Sequence, residues 1–407
     1  MREGRRGLNV LVVDDSAVVR QALSAILSSE PDIVVQIASD PLIAEQKMAR
    51  FSPDVIVLDI EMPRMDGLTF LEKLMAERPL PVVVCSSYAE DGSDMALRAL
   101  ELGAVDILAK PRVGVREFLH DSAVMLIESV RGAAMARLPA GRAIAPARRL
   151  SGDMARPLDQ GRLVERIHAG EFPRPLAVSS RQNADAVLAP AGAPRGSFEV
   201  EPIVAVGAST GGTEALRFLL DAMPSDAPPI LIVQHMPVGF TAAFANRLAK
   251  SARIGVREAE GGDLVVRGQA LIARGDRHLV LRRQGNRCSV DLVDGPLVSR
   301  HRPSVDVLFR SVAQAVGSRA VGLIMTGMGD DGAQGLLEMK EAGAATFAQD
   351  EASSVVFGMP REAILRGAVS AVLPLADLPL ALVRGAAARA TDPDSSPSRR
   401  GPRSGYS

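Results

Sequence analysis

The hydrophobic positions of the first 130 residues follow two alternating spacings. Short runs rich in β-branched residues predict strands at 9–13, 33–38, 55–58, 82–85 and 104–108. Apolar residues recur at helical spacing over 17–27, 43–51, 67–77 and 93–102. Regular alternation of strands and helices predicts a parallel sheet with helices on both of its faces.

The pattern changes twice further along the chain. Residues 132–196 are rich in Ala, Arg, Pro and Gly and show little sustained period, which is typical of a linker. The strand–helix alternation resumes at residue 201, and the final residues are polar and proline-rich, which favours disorder. We therefore predict an α/β domain over 8–126, a flexible linker over 127–200, a second α/β domain over 201–386 and a disordered tail over 387–407.

Composition narrows the class of protein. The chain has 407 residues, of which 47% are hydrophobic, and its formal net charge of -1 gives no electrostatic footprint for nucleic acid. The two cysteines, Cys85 and Cys288, cannot form a disulfide framework, which suits a reducing cytoplasm. Asp14 and Asp15 interrupt the first apolar run, and no other run is long enough for a membrane span, so neither a signal peptide nor membrane insertion is expected.

Acidic residues follow two strands of the first predicted domain. Asp14 and Asp15 come after the first strand, and Asp59 ends the third. Three carboxylates at one sheet edge repel one another unless a hard cation lies among them, and Mg²⁺ prefers oxygen ligands of this kind. Ser86 after the fourth strand and Lys110 after the fifth would complete a cradle for a phosphoryl group on Asp59.

This set of residues resembles the receiver domain of bacterial response regulators, over 8–126. The resemblance implies a flavodoxin-like (βα)5 fold with Asp59 as the phosphoacceptor. It also implies magnesium ligands at Asp14, Asp15, Asp59 and the backbone carbonyl of Glu61, and phosphoryl-sensing roles for Ser86 and Lys110. Receivers often carry an aromatic switch residue three positions before the lysine, and here that position is Ile107. We therefore do not expect coupling through a rotating aromatic ring.

The second predicted domain places three reactive residue types after three hydrophobic runs. Ser209 follows the run at 203–206, His235 follows the run at 230–233, and an Asp330-Asp331 pair follows the run at 321–325. If these runs are parallel strands of one sheet, the side chains emerge at its carboxyl edge, where open α/β sheets bind ligands. A nucleophile, a base and an orienting carboxylate at one edge indicate a hydrolase.

Several alternatives remain open at this stage. Gly207-x-Ser209-x-Gly211 matches the nucleophile elbow of hydrolases, although a glycine-rich phosphate-binding turn would look similar. No Walker lysine follows, which weakens the nucleotide interpretation. Spacing does not choose between the two aspartates, and the same loop could offer the Met328 amide to an oxyanion. His235 is the favoured base, because His278 and His301 lie among arginines that should lower their basicity.

Longer blocks give a second resemblance. GASTGG, QHMPVGFT, GDRHL, DGPLVSRHRPSVDVLF, TGMGDDG and ASSVVFGMP occur in this order and are similar to the catalytic domain of the chemotaxis methylesterase family CheB, over 203 to about 373. The resemblance implies a doubly wound, mostly parallel α/β methylesterase domain without a cofactor for its ester chemistry. It implies that Ser209 is the nucleophile, His235 the base and Asp331, directly before the glycine, the orienting acid, with the Met328 amide in the oxyanion site.

The two resemblances together imply a phosphorylation-regulated protein-glutamate methylesterase that also deamidates glutamines. Its expected partners are methyl-accepting chemotaxis receptors as substrate and a CheA-type histidine kinase as phosphodonor, in the cytoplasm and without nucleic acid. The unphosphorylated receiver is expected to cover the catalytic edge, and the long linker predicts weaker autoinhibition than in compact relatives. A rim of arginines either suits an acidic receptor helix or is ordinary solvated surface: Arg274 (where the family often has proline), Arg277, Arg300 and Arg302.

Two other outputs compete with this interpretation. One is a response regulator whose second domain only binds a partner, against which the intact Ser209, His235 and Asp331 argue. The other is a transcriptional regulator, but the sequence has no helix-turn-helix pattern or basic recognition stretch.

Overall fold

The first domain is a five-stranded parallel sheet in the order β2-β1-β3-β4-β5. The computed structural model describes residues 7–62, 66–86, 90–110, 116–138, 161, 165–166, 182–190, 192 and 200–391. The strands are β1 (Leu8–Val13), β2 (Ile33–Ala38), β3 (Val55–Asp59), β4 (Val82–Ser86) and β5 (Asp106–Ala109). The helices are α1 (Ala17–Ser28), α2 (Pro41–Phe51), α3 (Gly67–Glu77), α4 (Glu90–Glu101) and α5 (Arg116–Ala134). This order and direction confirm the predicted flavodoxin-like receiver fold.

Local sequence explains where these elements begin. The side chains of Ser16, Asp40 and Asp66 each accept a hydrogen bond from the backbone N–H three residues later, which caps α1, α2 and α3. The inner strands β3 and β4 are buried along their whole length, as expected for parallel strands covered on both faces. The cap and the strand end therefore place the acidic residues at the carboxyl edge.

The second domain is a doubly wound α/β domain around a seven-stranded parallel sheet in the order β14-β13-β12-β6-β7-β9-β8. Its strands are β6 (Ile203–Ala208), β7 (Ile230–Gln234), β8 (Gly255–Glu258), β9 (Gln269–Ile272), β12 (Ala320–Ile324), β13 (Ala345–Gln349) and β14 (Ala371–Leu373), with an antiparallel hairpin of β10 (His278–Gln284) and β11 (Arg287–Val293). Its helices are α6 (Gly212–Asp221), α7 (Phe240–Ser251), α8 (Val305–Val316), α9 (Ala333–Glu341), α10 (Met359–Leu365) and α11 (Leu378–Thr391).

The core of this domain lies on both faces of its sheet. Residues of α6, α7 and α11 pack in one hydrophobic cluster, and residues of α8, α9 and α10 pack in another. The strands β12, β6 and β7 are direct neighbours in parallel register, with Leu323 opposite Val206 and Val206 opposite Ile232. The predicted arrangement of the three hydrophobic runs is therefore confirmed.

The predicted domain boundaries differ from the observed elements in three places. The boundary at residue 126 falls inside α5, which continues because Val130 and Ala133 are buried in the core of the first domain. Residues 182–190 of the predicted linker pack on the second domain, where Arg310 binds the Asp185 carboxylate at 2.5 Å and the Leu188 carbonyl at 2.9 Å. Helix α11 continues five residues into the predicted tail, to Thr391. The rest of the predicted linker and tail lies almost wholly outside the described residues.

Among the described residues, no helix combines the length and the hydropathy that a membrane crossing requires.

Candidate active site

Ser209 lies in a sharp turn between a buried strand and a helix. Strand β6 ends at Ala208, and α6 begins at Gly212. Gly211 has φ +76°, and a Cβ atom there would lie 2.4 Å from Val355, so only glycine fits this turn. The turn presents the serine at the N-terminus of α6, where free backbone N–H groups favour developing negative charge. The strand–turn–helix order is that of the predicted nucleophile elbow, but the residue with positive φ in this turn is Gly211 and not Ser209.

His235 and Asp331 meet beside this turn. Nε2 of His235 lies 2.8 Å from Oδ2 of Asp331, and both side chains are buried. The carboxylate also accepts hydrogen bonds from Ser304 Oγ at 2.7 Å, Val305 N at 2.8 Å and Asp306 N at 3.0 Å. Although burial opposes it, the hydrogen bond and charge of His235 hold the pKa of Asp331 well below its usual range. Asp331 is therefore an ionised, fully bonded partner for the imidazole.

The neighbouring aspartate has a different environment. Asp330 contacts the Arg366 guanidinium at 3.3 Å. The two aspartates that sequence spacing left open thus have separate partners, and only Asp331 contacts the histidine among the described residues.

The other nitrogen of His235 is available. Nδ1 is buried and has no hydrogen-bond partner among the described residues. Ser209, His235 and Met328 line one cavity, and no backbone acceptor binds the Met328 N–H within the described part of the chain. Burial, followed by the charge of His301, lowers the pKa of His235 to about 4, against the opposing effect of Asp331. The ring is therefore neutral at pH 7 and can accept a proton at Nδ1.

The first domain covers this edge of the second domain. The Gly211 N–H donates to the Val105 carbonyl at 3.3 Å, and the Thr210 hydroxyl donates to the Asp106 carboxylate at 3.2 Å. Glu128 of α5 lines the same cavity as Ser209, and that cavity has about 20 Å³ of space, which is room for one water molecule. The structure is therefore a closed state in which a side-chain ester cannot reach Ser209.

The sequence did not show that Glu128 and His301 pair in this closed site. Glu128 contacts Arg300 at 2.5 Å and His301 at 3.2 Å, and the His301 ring stacks on His235. We expected the arginines to lower the basicity of His301, and this was wrong: burial does oppose the charge, but the hydrogen bond and charge of Glu128 raise the pKa of His301. For His278 the direction is confirmed, although its cause is mainly burial.

The predicted arginine rim is mostly paired within the second domain. Arg274 contacts Asp276 at 2.8 Å, and Arg277 contacts Asp294 at 2.8 Å. Arg302 donates to the Gly295 carbonyl at 2.7 Å. Arg300 differs from these three because its partner belongs to the other domain.

The carboxylates of the first domain also converge as predicted. Oxygen atoms of Asp14, Asp15 and Asp59 lie within 4.8 Å of one another. Lys110 Nζ lies 2.8 Å from Asp59 Oδ2 and 3.9 Å from Asp14 Oδ2. The Glu61 N–H donates to Asp59 Oδ1 at 2.9 Å. These contacts bring the predicted phosphoacceptor and its lysine together.

The donor set of this cluster fits a hard cation. Asp14 Oδ2 is buried and has no hydrogen-bond donor among the described residues. Burial and the nearby charge of Asp59 raise the pKa of Asp14 to about 6. An unsatisfied carboxylate oxygen beside two further carboxylates is the environment that Mg²⁺ would stabilise. Ser86 lies at the same edge, with its hydroxyl 3.3 Å from Glu61 Oε1.

Comparison with known proteins gives a consistent family. Residues 10–119 match the response regulator receiver domain, and residues 204–382 match the CheB methylesterase. A protein-glutamate methylesterase/protein-glutamine glutaminase of Anaeromyxobacter dehalogenans is 56% identical over 93% of this chain and 97% of its own length. Another, of Geobacter metallireducens, is 52% identical over 90% of this chain and 96% of its own length.

One solved structure is similar to part of this chain. The CheB methylesterase catalytic domain of Thermotoga maritima is 37% identical, covers 46% of this chain and 99% of its own, and has a TM-score of 0.45. Because the relatives match almost end to end and this chain matches both family models, it belongs to the protein-glutamate methylesterase/protein-glutamine glutaminase family of hydrolases, with a receiver domain before a CheB methylesterase domain.

Proposed function

We propose that this protein is a phosphorylation-gated protein-glutamate methylesterase whose chemistry is carried by Ser209, His235 and Asp331. The observation that supports it best is the 2.8 Å contact between His235 and Asp331 at the same sheet edge as the Ser209 turn. Asp331 orients the imidazole through Nε2 and stabilises its charged form. The family name supplies the bond type, which is a glutamyl methyl ester or a glutamine amide.

The reaction proceeds in two steps, acylation and deacylation of Ser209. Ser209 Oγ attacks the ester carbonyl while His235 Nδ1 takes its proton, and the Met328 N–H stabilises the oxyanion. The C–O bond to methanol then breaks, and the imidazolium returns the proton to the leaving methoxide. Water then attacks the acyl carbon while His235 takes its proton, the bond to Ser209 Oγ breaks, and the imidazolium returns the proton to the serine, which frees the glutamate carboxyl. With a glutamine substrate the same steps release ammonia.

The acidic edge of the receiver domain supplies the regulation. We infer that Asp59 is the phosphoacceptor and that Lys110 pairs with the phosphoryl group. Asp14, Asp15, Asp59 and the Glu61 carbonyl would hold Mg²⁺, which neutralises phosphoryl charge when bound. We take the phosphodonor to be a CheA-type histidine kinase and the substrate to be the cytoplasmic helices of methyl-accepting chemotaxis receptors, which places the protein in the cytoplasm. Arg300, once Glu128 leaves it, is the rim arginine best suited to an acidic receptor helix.

The test is methanol release from methylated receptor membranes by the full chain, with a small phosphodonor and magnesium. We expect Ser209→Ala to abolish release and the exposed Ser225→Ala to leave it unchanged. A serine-directed covalent probe, followed by mass spectrometry, should label Ser209 in the wild-type chain. Release that survives in Ser209→Ala would overturn the proposed nucleophile. If the wild-type chain shows no methanol release and no labelling of Ser209, the result would favour a second domain that only binds a partner.

A further inference from the structure

His301 lies against the proposed catalytic base in an arrangement that the second domain itself builds. The two imidazole rings stack with centroids 3.6 Å apart and planes 7° from parallel. The His301 backbone pairs with that of Val298, at 2.9 and 3.0 Å, and its Nδ1 lies 2.9 Å from the Ser299 carbonyl oxygen. The position of the ring therefore depends on contacts within the second domain.

The receiver domain supplies the remaining partner of His301. Nε2 of His301 lies 3.2 Å from Oε2 of Glu128 on α5, and the other carboxylate oxygen contacts Arg300. Both ring nitrogens of His301 thus face oxygen acceptors, a carbonyl on one side and a carboxylate on the other. An imidazole donates from both nitrogens only when it is protonated. The geometry of the closed state therefore favours a cationic His301.

A cation in this position opposes protonation of the neighbouring ring. His235 must gain a proton at the moment when Ser209 attacks, and a positive charge stacked 3.6 Å away makes that gain less favourable. Asp331 acts in the opposite direction through its contact with Nε2. Burial lowers the pKa of His235 most, and the balance between the carboxylate on one side and the charged ring on the other then adjusts how strong a base it is.

We propose that His301 is a positioning residue that sets the basicity of His235, and that Glu128 of the receiver domain controls it by holding the proton on His301. The proposal rests on the proposed role of His235 as the base. In the closed state Glu128 keeps His301 charged, and the charge of His301 outweighs the smaller, opposite effect of Glu128 on His235, so His235 is a weak base. When the domains separate, Glu128 leaves, His301 releases its Nε2 proton to water, and the neutral ring no longer opposes protonation of His235. The receiver domain therefore controls the reactivity of the site as well as access to it.

The surrounding charged groups support this direction. Five charged or titratable groups lie around the pair: Glu128 on α5, Asp106 on β5, Arg300 beside His301, Asp331 before α9, and His278 on β10, which interacts with Asp331. Burial opposes charge on Glu128, yet the hydrogen bond from His301 lowers the pKa of Glu128, so its carboxylate is ionised beside His301. Burial raises the pKa of Asp106 to about 6, and this second carboxyl accepts a hydrogen bond from the Thr210 hydroxyl. Arg300 remains beside His301 after opening and favours its neutral form.

The experiment is a histidine titration by NMR on the full, unphosphorylated chain with labelled imidazole rings, assigned by single substitutions. Glu128→Gln keeps the shape of the side chain and removes its charge. We expect it to lower the pKa of His301 and to raise that of His235 from about 4 toward its ordinary value. Glu72→Gln, on the exposed side of α3, is the matched control and should move neither.

A second variant separates charge from hydration. His301→Phe keeps an aromatic ring in the stack without its charge, so the pKa of His235 should rise, and adding Glu128→Gln should then raise it no further. If Glu128→Gln still raises the pKa of His235 in the His301→Phe chain, domain opening and hydration are the cause, and the proposal is wrong. It is also wrong if Glu128→Gln moves His301 alone.

Activity provides an independent readout. In the Glu128→Gln chain, methanol release at neutral pH without phosphodonor should rise several-fold, because a base with a pKa nearer the working pH is more effective. Stimulation by the phosphodonor should fall accordingly. A His235→Gln chain that still releases methanol would disprove the proposed catalytic base, while the titrations would still report whether the two rings are coupled. The two failures are therefore distinguishable.

Discussion

Asp331 and Asp14 are equally buried, at 1% exposure each, yet the pKa of Asp331 is lowered and the pKa of Asp14 is raised. Asp331 accepts hydrogen bonds from His235, Ser304, Val305 and Asp306, so its negative charge is satisfied by the protein alone. Asp14 accepts one from the Ser16 N–H, and its other oxygen has no donor among the described residues. Two sheets of the same class thus build two kinds of site at their carboxyl edges. The protein alone satisfies the first, and we propose that a cation completes the second.

The largest effect that tests this comparison is expected at the complete site. Asp331→Asn keeps the shape but removes the charge that orients and stabilises His235, and we expect kcat for methanol release to fall by about 10⁴-fold. The control is Asp330→Asn, whose side chain contacts Arg366 and should change kcat only a few-fold at most. Equal losses in the two variants would show that the contact with His235 does not select the catalytic aspartate.

At the Asp14 site, the measurable effect should be a change in the affinity for Mg²⁺. Asp14→Asn removes the carboxylate whose oxygen lacks a donor, and we expect the affinity for Mg²⁺ to fall by roughly 10- to 100-fold. Titration calorimetry of the full chain measures this directly. Asp226→Asn, at an exposed position of the second domain, should leave the affinity unchanged. An unchanged Asp14→Asn chain would place the cation elsewhere.

The pH dependence of the incomplete site should have a definite sign. Because burial raises the pKa of Asp14 to about 6, the metal-free site takes up a proton as the pH falls through 6, and that proton competes with Mg²⁺. We expect the affinity at pH 5 to be about tenfold weaker than at pH 7. Asp14→Asn should remove most of this dependence, and a wild-type affinity that is flat over this range would contradict the assigned titration.

The smallest expected effect concerns the contact between α5 of the first domain and the loops of the second domain that hold Thr210 and Met328. A Cβ atom on Gly132 of α5 would lie 3.1 Å from Thr210 Oγ1 and 3.2 Å from Met328 Cβ, so the helix packs closely on the loops that hold these two residues. Gly132→Val should separate the domains and raise unphosphorylated methanol release by roughly two- to fivefold, since access is a partial restraint through a long tether. Gly192→Val, at a position with open space around it, is the control. A lower basal rate in Gly132→Val would mean that α5 supports the active site instead of covering it.

Much of the fold was predictable because polar residues end apolar runs. The strands of the first sheet and the three central strands of the second are recognisable from their apolar runs, and Ser209 and His235 each come directly after the end of such a strand. The strand order of the second sheet was not predictable as a whole, because it depends on which helices cover which face. Strand β5 begins at Asp106, two residues later than expected, since Ala104 and Val105 follow the Gly103 turn that ends α4.

The interdomain part of the site could not be predicted from the sequence. Glu128 lies on an amphipathic helix, where a glutamate usually marks the solvated face, and its partners Arg300 and His301 follow about 170 residues later. The arginines around His301 suggested a lowered pKa because adjacent residues are visible in a sequence and a distant carboxylate is not. The same holds for Arg310, which looks like a surface residue of α8 until Asp185 packs against it.

The most direct test of the account measures methanol release from methylated receptor membranes with and without phosphodonor, in the wild-type, Asp59→Asn and Ser209→Ala chains. We predict that phosphodonor with magnesium stimulates the wild-type chain, that Asp59→Asn keeps the basal rate without stimulation, and that Ser209→Ala releases nothing in either condition. Stimulation that persists in Asp59→Asn would contradict regulation through phosphorylation of Asp59. Methanol release by Ser209→Ala would contradict Ser209 as the nucleophile.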